Sequence, residues 1–227
     1  IIAALRDAWS VNGVTTSFAQ LMGLPNEQLS DTYVFPGYNN VTLNEQLRIS
    51  NVDTVQSEVT VTIGGVERGT YTLYPPGSGV SAVRINYPGL DSGPVVVQGT
   101  TGVKIISAIR EAWTSNGVIT SFVQFMGLPD GQLSDKYVFP AYNNVTLNEQ
   151  LRIGNVDTLP STVTVTIGGV WRGEYTLGPN EAKRINYPGL DSGPLVVEGT
   201  AGVKIISSIR EAWSVNGVIT SFAQLMG

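Results

Sequence analysis

The sequence predicts an all-β chain of two tandem antiparallel β-sandwiches with an extra terminal hairpin segment. Three observations carry this. The chain repeats itself at domain length, most segments alternate apolar and polar residues with period two, and Gly, Pro and Asn turn signals punctuate those segments at short intervals.

The repeat is direct. Ile1–Trp9 (IIAALRDAW), Ile105–Trp113 (IISAIREAW) and Ile205–Trp213 (IISSIREAW) recur at offsets of 104 and then 100 residues. Leu24–Leu73 matches Leu128–Leu177 at 40 of 50 positions, and Arg84–Lys104 matches Arg184–Lys204 at 18 of 21. The length difference falls in one place, with the ten residues Tyr74–Val83 set against the six of Gly178–Lys183. It reads as one surface loop, where insertions cost little. A unit of about 100 residues is the size of a domain, not of a solenoid repeat. Residues 24–127 and 128–227 are then two repeats, and residues 1–23 a terminal strand or hairpin that pairs with a neighbouring unit. Ile1–Gly23 and Ile205–Gly227 agree at 18 of 23 positions, so the chain begins and ends at the same phase.

Within a unit, Leu43, Leu47 and Ile49 form an inward row against Asn44, Gln46 and Arg48, and Glu45 interrupts it near an expected exposed strand end. Glu58–Ile63 (EVTVTI), repeated at Thr162–Ile167, puts Val and Ile on one face and Thr on the other. Tyr71 and Leu73 flank Thr72, and Val83, Ile85 and Tyr87 flank Arg84 and Asn86. Val95–Val97 suits a buried strand. Gly64-Gly65, Pro75-Pro76-Gly77, Pro88-Gly89 and Gly93-Pro94 separate these runs. Seven or eight short strands per unit indicate a sandwich. Lys104–Met126 holds two β-prone runs around Asn116-Gly117, the dipeptide that favours a type I′ hairpin turn, and Asn12-Gly13 and Asn216-Gly217 repeat it. Ala, Arg and Glu in IREAW also favour a helix. The nearby Gly and the β-branched flanks favour the hairpin.

Composition excludes several function classes. With no Cys there is no disulfide, thiol nucleophile or Cys-based zinc site, and with no His there is no Ser-His-Asp triad. A net charge of −5 argues against nucleic acid as a partner. No apolar run reaches the length of a membrane helix, and no leader segment is visible. The chain does not begin with Met and reads as a mature fragment or window of something longer.

Tyr33–Ile49 (YVFPGYNNVTLNEQLRI), Val59–Gly65 (VTVTIGG), Tyr71–Leu73 and Val95–Arg110, in that order and twice over, resemble the tandem immunoglobulin-like β-sandwich repeats of large secreted bacterial surface and filament proteins. The resemblance implies a structural role at the cell surface, as a stalk, adhesin arm or filament unit, with no catalytic residue and no cofactor.

An apolar terminal hairpin without its sheet invites pairing. The expectation is therefore a structural subunit of an extracellular filament or surface stalk, assembled head to tail with itself by β-strand complementation, as a homopolymer or as one long tandem array. Ile1, Ile2, Leu5, Trp9, Val14 and Phe18 at one end, and Ile205, Ile206, Ile209, Trp213 and Phe222 at the other, are the candidate inter-subunit contacts. The alternative is an adhesin or carbohydrate-binding module in which Trp171, whose counterpart is Glu67, stacks on a glycan with Tyr175. Asn40 and Asn144 each sit in an N-x-Thr acceptor triplet, or else hydrogen-bond their own turn. Asp91 and Asp191, in Gly-rich loops, lack the ligand run of a calcium site and read as turn caps. Glu45, Asp53 and Asp91, repeated as Glu149, Asp157 and Asp191, are the carboxylates available for glycosidase chemistry, but no spacing in the sequence pairs them.

Overall fold

A computed structural model of the chain describes residues 3–11 and 13–227. Ile1, Ile2 and Asn12, all part of the expectations above, lie outside the described residues, as does the side chain of Val14. The described chain is antiparallel β-structure with two single 3₁₀ turns, Asn26–Gln28 and Asp130–Gln132.

A first hairpin comprises β1 (Ala4–Val11) and β2 (Val14–Met22). The first unit follows with β3 (Thr32–Phe35), β4 (Tyr38–Asn39), β5 (Asn44–Asn51), β6 (Ser57–Ile63), β7 (Val66–Leu73), β8 (Ala82–Ile85), β9 (Asp91–Ser92), β10 (Val95–Gln98), β11 (Ile105–Ser115) and β12 (Val118–Met126). The second has β13 (Leu128–Pro129), β14 (Lys136–Phe139), β15 (Tyr142–Asn143), β16 (Asn148–Asn155), β17 (Ser161–Ile167), β18 (Val170–Leu177), β19 (Ala182–Ile185), β20 (Asp191–Ser192), β21 (Leu195–Glu198), β22 (Ile205–Val215) and β23 (Val218–Met226).

The main sheets come in pairs. In the first unit they are β13-β3-β10-β6-β7 and β12-β11-β5-β8; in the second, β14-β21-β17-β18 and β19-β16-β22-β23. Alternation explains why they face each other. Val59, Val61 and Ile63 are fully buried while Thr60 and Thr62 between them are half-exposed. Tyr33, Phe35, Val61 and Val95 of one sheet share a single core with Leu47, Ile49, Ile105 and Ile109 of the other. The second unit repeats this around Tyr137, Phe139, Leu151, Ile153, Val165 and Ile209. Asn116 and Gly117 have φ of 51° and 78°, and Asn216 and Gly217 51° and 79°, so both dipeptides form the left-handed turn expected of them. IREAW is strand in both copies, as is its counterpart LRDAW in the first hairpin.

Four details correct the sequence reading. First, the strand order is not that of an immunoglobulin domain, which would place the first and second long strands in one sheet and the last two in the other. Here β3 pairs with β10, and β11 pairs with β5 along eight residue pairs from Ile105↔Asn51 to Ala112↔Asn44. That long register takes β11 away from β10 and leaves the β10 edge to β3. Second, Glu45 is not at an exposed strand end; it is fully buried on the same side of β5 as Leu47 and Ile49. Third, Ile205 and Ile209 lie in the second unit's own core and offer nothing to another subunit. Fourth, the shorter loop Gly178–Lys183 is not free surface, because Asn180 packs against Gly65 and Ala182 against Gly93 of the first unit.

Each unit is closed by the hairpin that follows it, since β11 pairs with β5 and β22 with β16. The β1–β2 hairpin is the same element in a sheet of its own. Past β12 the chain turns through Gly127, and Leu128 and Pro129 pair with Val34 and Tyr33 on the open edge of β3. A Cβ on Gly127 would stand 2.7 Å from Phe35 Cζ, inside the core. Gly127→Ala is therefore expected to destabilise by about 1–3 kcal/mol through overpacking. Gly131→Ala, which meets open space, should change stability by less than about 0.5 kcal/mol. Urea denaturation of both variants checks this, and equal stabilities would refute the close packing.

Candidate functional site

The chemistry of this chain is concentrated where the two units meet. Three arginines of the second unit, Arg152, Arg184 and Arg210, face three carboxyl groups of the first, Glu45, Glu111 and Asp91. Pairing places them. Glu45 and Glu111 are direct cross-strand neighbours on β5 and β11. Arg152 and Arg184 are cross-strand neighbours on β16 and β19, and Arg210 follows on β22, opposite Gln150.

Arg152 Nη1 donates to Glu111 Oε1 at 2.6 Å and to Gln224 Oε1 at 3.1 Å, with both charged side chains essentially without solvent contact. Arg184 grips Asp91 through two bonds of 2.9 and 2.5 Å, the parallel-fork geometry that guanidinium and carboxylate favour. The Glu45 carboxyl is fully buried against Glu111 and the backbone N–H of Asn39. Burial pushes the Glu45 carboxyl well above the usual range, and the Glu111 charge beside it pushes further. A cavity of about 480 Å³ lies beside this cluster, lined by Gly37, Gly64, Asp91, Arg152, Asn180 and Arg184 among others.

A longer, half-exposed version of this contact occurs one step earlier. Asp7 of the first hairpin occupies the repeat position of Glu111, and Arg48 that of Arg152; the two stand 3.7 Å apart. Arg48 Nη1 also donates to Gln124 Oε1 at 2.6 Å, as Arg152 does to Gln224. Apolar packing repeats alongside. Ala19 packs with Ala112, Phe122 and Ile119, while Val123, at the repeat position of Ala19, shares a cluster with Phe222 and Ile219. The successive hairpins β1–β2, β11–β12 and β22–β23 stay in three separate sheets, so they meet through side chains and not through a shared ladder. Phe122 N also donates to Ser17 Oγ at 3.1 Å across this step.

The expected sites fare differently. Phe222 sits in the first unit's core cluster, and Ile206 is buried against Gly154, whose backbone also touches Pro94. Leu5, Trp9, Phe18 and Trp213 are substantially exposed, Phe18 most of all at 62 %. The proposed stacking pair is not brought together. Thr166 opposes Trp171 and Val163 opposes Tyr175, with a register shift between them. The one-residue bulge turns Trp171 outward, 64 % exposed, while Tyr175 packs on the core and meets Tyr187. The Asn40 amide nitrogen is engaged with Glu45 O at 3.1 Å and Tyr38 Oη at 3.3 Å, and Asn144 makes the corresponding pair of bonds, so a glycan at either would displace both. Asp53 and Asp157 brace loops through the backbone of Lys104 and Lys204. Asp91 is committed to Arg184.

Sequence reasoning singled out Glu45 and Asp91 but not their partners. The missed signal was the arginine set recurring at 48/152, 84/184 and 110/210 with the carboxylates at 7/111/211.

No protein-family model matches the chain, and no curated protein matches it. Solved structures with partial likeness include an M60 catalytic domain with two CBM51 domains from Clostridium perfringens, at 6% identity and TM-score 0.25, covering 86% of this chain and 33% of that one. A β-glucuronidase from Ruminococcus gnavus has 12% identity and TM-score 0.19 over 86% of this chain and 34% of its own. A GH2 β-galacturonidase from Eisenbergiella tayi has 10% identity and TM-score 0.20 over 100% and 43%. The chain thus spans less than half of each, and at these scores the likenesses assign neither fold family nor activity.

The second unit carries the same carboxyl pair, Glu149↔Glu211, with no arginine among the described residues paired to it. Glu149 is pushed up to about 7, first by burial, with Glu211 and Asp191 adding to it against the bond from Asn143 N. Its ordinary value is 4.5. The folded chain therefore holds a proton that the unfolded chain has lost, and stability falls as pH rises between those two values, levelling above the upper one. Urea denaturation from pH 4 to 8 should show that decline, and Glu149→Gln should make it shallower by the share of this one carboxyl, leaving the share of the buried Glu45. An unchanged slope in the variant would contradict the assignment.

Proposed function

We propose that this chain is a structural segment of an extracellular filament or surface stalk, in which β-sandwich units stack head to tail as a stiff rod. The observation that supports this reading is the junction used twice: Asp7 with Arg48, then Glu111 with Arg152, at the same repeat positions and beside the same apolar contacts. A linker between independent beads has no need of a buried guanidinium. The cell-surface setting rests on the resemblance of the repeats. Strand complementation has a smaller part than the sequence suggested, because the backbone pairing between units is the two-residue β13 on β3. Side chains supply the rest. The carbohydrate-binding alternative retains Trp171 as a lone exposed aromatic, without the Tyr175 partner it was expected to have.

Calorimetry of the full chain tests the rod. Coupled units should unfold in one transition whose van't Hoff and calorimetric enthalpies agree. A chain carrying Glu111→Gln and Asp91→Asn should split into two. Two independent transitions in the unaltered chain would contradict the proposal.

A further inference from the structure

The residue sets that meet between the units recur unmatched at the two ends of the described chain. On the first unit, Arg48, Arg84 and Arg110 stand together against one acid, Asp7, and burial and mutual repulsion lower Arg48 and Arg110. On the second unit, Glu149, Glu211 and Asp191 stand together with no arginine among the described residues paired to them. The surroundings are equally complementary. Pro36, Gly37, Gly93 and Pro94 are buried beneath the second unit, while their counterparts Pro140, Ala141, Gly193 and Pro194 are exposed. Val34, on the β3 edge covered by β13, is 2 % exposed; Val138, at the same place on β14, is 57 % exposed.

We propose that the face of the second unit bearing Val138, Asp191, Glu211 and Ala223 docks a second copy of this chain, which presents Leu24–Pro25, Arg48 and Arg84 once its own β1–β2 hairpin is unseated. The inference rests on the stacking reading above. The template for it is the contact within the chain. Glu211 takes the role of Glu111 opposite an arginine, Asp191 that of Asp91, Ala223 that of Val123, and the β14 edge that of β3. Leu24 already packs on its own unit's core as Leu128 packs on the second, so only its backbone edge remains to be paired.

The hairpin must leave because it fills the same seat. Asp7 holds Arg48, Ala19 covers Ala112 and Phe122, and Ser17 accepts from Phe122 N. In a docked pair, β22–β23 of the receiving copy would make those contacts. Two hairpins cannot occupy one position, so β1–β2 acts as a plug on the first unit.

Sedimentation velocity near pH 7.5 on full-length chains tests this. The unaltered chain should remain monomeric. A chain with Asp7→Arg, which sets a fourth arginine against the cluster, and Ala19→Arg, which puts a charge into the apolar seat on Ala112 and Phe122, should associate with increasing concentration. Adding Glu211→Arg and Asp191→Arg to that chain should return it to monomer. A chain folded intact and then cut at a protease site inserted between Gly23 and Leu24 unseats the hairpin without altering the strands, and should also associate, with the Val138 amide gaining protection from hydrogen exchange. Unplugged chains that keep native circular dichroism yet stay monomeric would overturn the proposal, as would association that survives the two acid-to-Arg changes. If docking fails while the calorimetric transition remains single, the docking surface is wrong and the stacked rod stands.

Discussion

Three arginines facing three carboxyl groups across the unit junction are the constraint on which the arrangement of this chain depends. Such a contact fixes orientation more than it supplies free energy, because bringing charges out of water offsets most of their attraction. The apolar contacts do the stabilising. Phe222 and Ile219 bury surface against Val123, each buried side chain being worth about 1.5–3 kcal/mol. The charges decide which faces are allowed to meet. Rotating one unit on the other would leave Arg152 and Glu111 buried apart, at a cost of several kcal/mol per uncompensated ion. One rotational setting therefore satisfies both sets of contacts.

Most of the fold was legible in the sequence because it rests on local physics. Period-two burial along EVTVTI is a direct consequence of the strand pleat, and the Asn-Gly turns follow from positive φ at both central residues. The strand order was not legible. Nothing local tells β11 to pair with β5 instead of β10; that follows from competition among edges for long registers. Glu45 was misplaced for a related reason. A carboxyl in an inward row looks like a strand end until its neighbour across the ladder, Glu111, and an arginine from another unit are in place. The Trp171–Tyr175 pair failed on a single bulged residue, which period-two reasoning does not register.

The repeat itself held information that motif reading passed over. Comparing environments of equivalent residues, not the residues alone, separates folding roles from junction roles. Ile105 and Ile205 are buried in both units and belong to the cores. Gly93 and Gly193 differ in burial although their loops are nearly identical, because one is covered by a neighbouring unit. By the same comparison Arg84 is exposed and Arg184 is engaged with Asp91. The loop of six residues in the second unit, against ten in the first, lies at this contact and helps shape it. High identity between the repeats thus coexists with different environments, since the acids of the first unit meet the arginines of the second while the matching acids of the second unit stay outside that contact.

The central claim is that the junction holds the two units as one body, and backbone ¹⁵N relaxation across the whole chain tests it most directly. A rigid stack predicts that amides of both units fit a single anisotropic rotational diffusion tensor whose long axis runs through both. Separate tensors for the two units, each with the shorter correlation time of a domain of about 100 residues, would contradict it.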